Sequence, residues 1–115
     1  MTADPDCIFC RIVEGRIPAR KVFEDAELLA FHDINPWAPV HVLVIPKEHI
    51  PTLADTGPQH AGLLGRMLAL APRLMRELGV GQGFRTVVNC GPDGGQEVYH
   101  LHMHVFGGPR PWKRG

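Results

Sequence analysis

No charge of either sign is in excess in this chain, because Lys plus Arg and Asp plus Glu number twelve each. Such a balance advertises no polyanionic partner, and no basic run exceeds Pro109-Arg110-Pro111-Trp112-Lys113-Arg114, so neither a nucleic acid nor a membrane surface is indicated. The opening Met1-Thr2-Ala3-Asp4-Pro5-Asp6 lacks the charged start and apolar run of a signal peptide, and no apolar stretch approaches the length of a membrane span. The expectation is a soluble, cytoplasmic protein. Cysteine is scarce: there are three, an odd number, two of them close together in Cys7-Ile8-Phe9-Cys10. In a reducing compartment that pair reads as metal or redox chemistry and not as a disulfide framework, which leaves Cys90 as a spare structural thiol. With 115 residues, 44% of them hydrophobic, the chain has material for one core and one domain, 1–115. Within it, residues 1–6 are expected to be a flexible N-terminus and 107–115 an irregular tail.

What the chain does have is Tyr99-His100-Leu101-His102-Met103-His104-Val105-Phe106-Gly107-Gly108, with histidine at every second position. In an extended strand this alternation puts three imidazoles on one face, within about 14 Å, and Leu101, Met103 and Val105 on the other. Histidine titrates nearest neutrality, so that face is a concentrated set of nucleophiles, proton carriers or metal ligands. Four further β-type runs precede it: Arg20-Lys21-Val22-Phe23, Leu28-Leu29-Ala30-Phe31, His41-Val42-Leu43-Val44-Ile45 and Arg85-Thr86-Val87-Val88. Turn signals separate them at Glu24 to Glu27, Asn35-Pro36-Trp37-Ala38-Pro39 and Gly91-Pro92-Asp93-Gly94-Gly95.

Between the third and fourth runs the period changes. Leu63, Leu64, Met67, Leu68, Ala71, Leu74, Met75 and Leu78 recur at threes and fours, as the buried face of one long helix requires. Its start is signalled by Asp55 or Thr56 as a cap with Pro58 in the first turn, and its end by Gly79. Pro72 removes a backbone hydrogen bond inside it, at a cost of about 3 kcal/mol, and predicts a kink. Gly62 and Gly65 either admit a second backbone or are tolerated on an exposed face. A shorter helix is expected over Ile8 to Glu14, ended by Gly15. The sum is an α+β fold: a five-stranded antiparallel sheet with one long helix and a short N-terminal helix.

His100-Leu101-His102-Met103-His104-Val105-Phe106 matches the pattern His-φ-His-φ-His-φ-φ, with φ apolar, and on it the chain resembles the histidine-triad family, specifically its Hint branch of nucleoside phosphoramidase-like hydrolases. The likeness runs nearly end to end, through Ile8-Phe9, Ile17-Pro18-Ala19, Phe31-His32-Asp33-Ile34, His41 to Ile50, Val87-Val88-Asn89 and Gly94-Gly95-Gln96-Glu97-Val98-Tyr99. The resemblance implies a purine nucleoside phosphoramidate (AMP-amine) hydrolase in which His102 attacks the α-phosphorus and forms a covalent nucleotidyl-histidine. His104 and Asn89 would then donate to the phosphate, and His41 would belong to a histidine cluster that fixes the orientation and tautomer of the nucleophile. Gly95, Gln96 and Glu97 would rim the phosphate site through their backbone, glycine letting N–H groups approach an anion. Many Hint proteins carry serine where this chain has Glu97, and an ionised carboxylate cannot donate as a hydroxyl does. Asp33 would take the ribose hydroxyls, while Ile8, Phe9, Ile12, Phe31 and Ile34 wall the base and His32 sits at its edge or on the surface. His60 is expected to be merely exposed.

Some branches of the family hold zinc, and this chain has the corresponding set: Cys7, Cys10, His49 and His100, the ligands of a closed tetrahedral structural Zn2+ site. The resemblance also implies a homodimer, with Trp112 of the tail near the partner's substrate. Other readings are a dinucleoside polyphosphate hydrolase using the same nucleophile, a nucleotide-binding regulator with little turnover, and a catalytic metal held by the three histidines themselves.

Overall fold

A computed structural model describes residues 3–113; Met1, Thr2, Arg114 and Gly115, the outermost parts of the two expected irregular ends, lie outside the described residues. The elements follow as α1 (Ile8–Val13), β1 (Lys21–Glu24), β2 (Leu28–His32), β3 (Val40–Pro46), two 3₁₀ turns (Leu53–Asp55 and Pro58–His60), α2 (Ala61–Glu77), β4 (Phe84–Val87) and β5 (Met103–Gly107). The strands form one antiparallel sheet in the order β1-β2-β3-β5-β4. Among the described residues no helix is long and apolar enough to cross a membrane.

Alternation along the strands builds two layers of contact, one on each side of the sheet. Leu28, Ala30, Val42, Val44, Met103 and Val105 face α2 and pack on its Met67, Leu70, Ala71, Leu74 and Met75. Leu29, Phe31, Leu43 and Ile45 face the other way, where α1 covers them with Phe9, Cys10 and Ile12. The register sets Leu43 opposite His104 and His41 opposite Phe106, so His41, His104 and Phe106 also lie on the face away from α2. Since α1 is only six residues long, it covers part of that face and leaves the rest as the wall of a cleft.

The sheet and helices match the sequence expectation; four details differ. The long helix starts at Ala61, later than its signals suggest, because those signals serve the two turns before it. Thr52 donates to the Asp55 carboxylate through N–H (3.0 Å) and Oγ1 (2.8 Å), and the Gly57 N–H donates to His60 Nδ1 at 3.0 Å. His60 is therefore half-buried and engaged in a turn, not simply exposed. On α2 the inward stripe includes Leu70 and omits Leu68, which is 57% exposed. α2 continues through Pro72 to Glu77. It ends where Gly79, at φ 83°, donates to Arg76 O and Val80 donates to Met75 O, a left-handed turn suited to glycine. Finally, the regular ladder of β5 begins only at Met103. Before it, Tyr99 and His100 lie in a bend and Leu101 and His102 in irregular chain tied elsewhere, with the Leu101 N–H donating to Ile50 O at 2.6 Å, yet Leu101 still joins Met103 and Val105 in the core under α2.

Leu74 is fully buried between α2 and the sheet. Leu74→Ala is expected to lower unfolding stability by about 3 kcal/mol, from lost burial plus a residual cavity, read as a shift in urea midpoint with an unchanged slope.

Candidate functional site

The three alternating histidines go to different partners, and each partner fixes where the imidazole hydrogen sits. Because a carbonyl only accepts, the 2.7 Å contact from His102 Nδ1 to His100 O places hydrogen on Nδ1 and leaves the lone pair on Nε2. His100 donates from Nε2 to Pro46 O at 2.8 Å, which leaves its Nδ1 lone pair facing the two cysteines. Burial is the main cause that pushes the pKa of both rings down, to about 4 for His100, so both stay neutral. For His102 that push is opposed by its bond to His100 O and by the charges of Asp33 and Glu97. Phe9 of α1 stands edge-on to both, at 5.2 Å from His102 and 5.9 Å from His100.

His41 settles the third ring. The Trp37 backbone N–H donates to His41 Nδ1 at 3.0 Å, so neutral His41 keeps its hydrogen on Nε2. That hydrogen is donated to His104 Nδ1 at 2.9 Å, and Asp33 Oδ2 lies further off at 3.5 Å. His104 accepts at Nδ1 and thus carries its own hydrogen on Nε2. Burial pushes the His41 pKa down, against the Asp33 charge, in keeping with a neutral ring. His41 therefore acts on His104 and does not touch the ring of His102. The same accounting argues against a metal among Asp33, His41 and His104, although their ligand atoms lie close together. A metal on His41 Nε2 would need hydrogen on Nδ1, where an amide N–H already points.

A cleft of 1170 Å³ opens over this face. His102, His104, Asp33, Asn89, Gly95, Glu97, Ile8, Phe9, Ile12, Phe31, His32 and Ile34 all line it. One oxygen of Asp33 accepts from the Asn35 N–H at 2.8 Å. His32 is half-buried beside Arg20, and burial first, then that charge, lowers its pKa. Ile34 is 91% exposed at the rim. Two expected residues are placed differently. His41 is buried behind His104, and the side chain of Gln96 points into the loop, accepting from the Gly91 N–H and donating to Pro51 O and Val98 O at 2.8 to 2.9 Å. Gly94 of the same loop passes so close to Cys90 that a Cβ there would lie 2.3 Å from its carbonyl oxygen. Trp112 packs edge-on against Phe106 of its own chain at 5.4 Å.

Beside the cleft, Cys7, Cys10, His49 and His100 bring four ligand atoms within 4.8 Å of one another. Zn–S near 2.3 Å and Zn–N near 2.0 Å in a tetrahedron require ligand–ligand separations of about 3.3 to 3.8 Å. The contacts are 3.2 Å between the two Nδ1 atoms, 3.3 Å for Cys10–His49, 3.4 Å for Cys7–His100 and 3.6 Å for Cys10–His100. Burial, with Cys7 adding to it, pushes the Cys10 thiol up to about 11, a cost that a bound cation would reverse. The donor set and its spacing fit a tetrahedral metal.

A model of the HIT domain matches residues 14–110. The chain belongs to the HIT domain family. It is 49% identical over 104 residues to protein HitA of Neisseria gonorrhoeae, covering 90% of this chain and 97% of that protein. It is 42% identical over 104 residues to the purine nucleoside phosphoramidase of Escherichia coli K12, covering 90% and 87% of the two chains. Among solved structures, a HIT family hydrolase from Legionella pneumophila superposes with a TM-score of 0.88 at 47% identity, over 91% of this chain and 95% of that one. The cysteine pair precedes the matched HIT segment, so its case rests on the geometry given above.

One residue of this HIT domain escaped the reading of the sequence. Trp37, taken there as part of a turn, lines the cleft and lies stacked on His104, with ring centroids 4.3 Å apart. The only available signal was a large aromatic between two prolines, four residues before a strand histidine. Gln96→Ala leaves the Gly91 N–H without its partner and should lower stability by about 2 kcal/mol in urea unfolding.

Proposed function

We propose that the protein is a purine nucleoside phosphoramidate hydrolase that works through a covalent nucleotidyl-histidine at His102. The observation that carries the reading is the His102 tautomer: Nδ1–H is bound to the His100 carbonyl, and burial keeps the ring neutral, so the Nε2 lone pair is available in the cleft. Nε2 attacks the α-phosphorus and the P–N bond breaks. The nitrogen departs as the amine with a proton from solvent, leaving the nucleotidyl group on an imidazolium that is itself a good leaving group. Water then displaces His102, giving the nucleoside monophosphate and a proton. The Nε2–H of His104, the Asn89 amide and the loop backbone at Glu97 are the donors for charge growing on the phosphoryl oxygens, while Gly95, whose N–H donates to Pro92 O at 3.1 Å, shapes the loop beside them. Asp33 takes the ribose hydroxyls, and Ile8, Phe9, Ile12, Phe31 and Ile34 enclose the purine, with His32 at its edge. The phosphoramidase named among the relatives supports this choice of substrate.

In the same reading the Cys7, Cys10, His49 and His100 cluster holds Zn2+, which ties the N-terminal segment to the sheet and takes no part in the reaction. His100 is thereby locked, and with it the carbonyl that orients His102. The protein acts as a homodimer: β4 is an edge strand with Phe84 and neighbouring Val88 exposed, and a second copy pairing there would continue the sheet. No nucleic acid or membrane partner is proposed, and the site of action is the cytoplasm.

His102→Ala should reduce turnover of adenosine phosphoramidate by about a thousandfold or more while AMP still binds. Unchanged turnover would refute the mechanism, and faster wild-type turnover of a dinucleoside polyphosphate than of the phosphoramidate would refute the choice of substrate. For the metal, native mass spectrometry should find one zinc per chain, absent in Cys10→Ser. Its removal by a chelator should lower the thermal midpoint by roughly 10 °C, the equivalent of about 2 kcal/mol in a domain of this size.

A further inference from the structure

Trp37 lines the cleft half-buried and is held from behind by several neighbours. Its ring stacks on His104 with centroids 4.3 Å apart and planes 21° from parallel. The same ring leans on His41 at 4.7 Å and meets Phe106 edge-on at 5.2 Å. Its amide N–H donates to His41 Nδ1 at 3.0 Å, and its carbonyl accepts from the Lys113 N–H at 2.8 Å. Phe106 is in turn packed by Trp112, so the turn at Trp37 and the C-terminal segment clamp one another.

Each of these contacts bears on a single hydrogen atom. An imidazole can flip about its Cβ–Cγ bond, exchanging ring nitrogen for carbon, and can shift its hydrogen between Nδ1 and Nε2. At His104 either change would remove the Nε2 donor from the cleft. The amide of Trp37 occupies the lone pair of His41 Nδ1, which compels His41 to donate from Nε2, and His104 is left with its hydrogen on Nε2 alone. The indole lies flat on the same His104 ring and holds its plane, while the bond from His41 Nε2–H to Nδ1 opposes the flip that would put carbon there. We propose that Trp37 is a positioning residue for the reaction at His102: its amide sets the tautomer of the His41–His104 pair, and its stacked ring holds His104 with Nε2–H turned into the cleft. Its kinetic consequence rests on the phosphoramidate reading, in which His104 is a phosphate donor. The tautomer does not.

The test uses Trp37→Ala, Trp37→Leu and Trp37→Phe in the full chain, all of which retain the backbone amide. Removing the ring should lower kcat for adenosine phosphoramidate about tenfold with KM within about twofold, since the lost contact acts on the donor and not on the nucleoside pocket. Phe, which is flat, should return kcat to within about threefold of the parent, and Leu, which is bulky but not flat, should behave as Ala does. Nitrogen-15 NMR of the imidazoles in the same proteins without substrate gives the second reading. In the parent and in all three variants, which keep the amide, the two nitrogens of His104 should be widely split with hydrogen on Nε2. Hydrogen on Nδ1 of His104 in the parent, or mixed tautomers in a variant, would overturn the role given to the amide; an Ala variant with unchanged kcat, or a Leu variant equal to Phe, would overturn the role given to the ring. Should the parent turn over no phosphoramidate, the proposed function fails, and the NMR comparison still decides the tautomer.

Discussion

The site depends on one hydrogen bond, 2.7 Å long, from His102 Nδ1–H to the carbonyl oxygen of His100. It is a contact between residues two apart where the chain leaves a bend at His100, so it exists only if the segment before β5 holds its course. That course is set from the other side: the His100 ring donates to Pro46 O and faces the two cysteines, and the Leu101 N–H donates to Ile50 O. The first histidine of the triad is thus the anchor of the second. With the hydrogen on Nε2 instead, this bond would be lost and the cleft would face an N–H and not a lone pair.

The sheet makes this possible by dividing labour between its faces. The core packed between the sheet and α2 is apolar, and that side carries the stability. The opposite face has room for polar groups because α1 covers only part of it, and each buried nitrogen there finds a partner: among the described residues no buried side-chain N or O lacks one. Burial of His41, His100 and His102 also keeps those rings neutral, the state that a nucleophile, a metal ligand and a neutral relay all require. The low-dielectric setting that makes an unpaired imidazole costly is the one that makes each paired one definite in its tautomer.

Legibility in the sequence followed the length scale of the cause. Strands and helices are legible in period-two and period-three-to-four patterns, and the motif around His102 with its distant matches is enough to point to the family. What depended on side-chain hydrogen bonding did not come through. Asp55 and Pro58 read as the start of α2 because a capping residue looks the same before a 3₁₀ turn as before an α-helix. The inward turn of the Gln96 side chain is not legible, because nothing in a glycine-rich loop says which way an amide turns. Leu68 and Leu70 differ only by where the sheet lies relative to the helix stripe. That His41 bonds the ring of His104 is not legible in the chain, since the register that sets Leu43 opposite His104 is a property of the paired strands. Trp37 was missed because its partners, His41, His104 and Phe106, are brought to it only by that pairing.

The account claims that three identical side chains in one segment have been made chemically different, with His102 alone the nucleophile. Rapid-quench intact mass spectrometry with a nucleoside phosphoramidate, followed by peptide mapping, tests this most directly. The account predicts one nucleotidyl group per chain, transient, and carried on His102. Turnover without any adduct, or an adduct on His100 or His104, would contradict it.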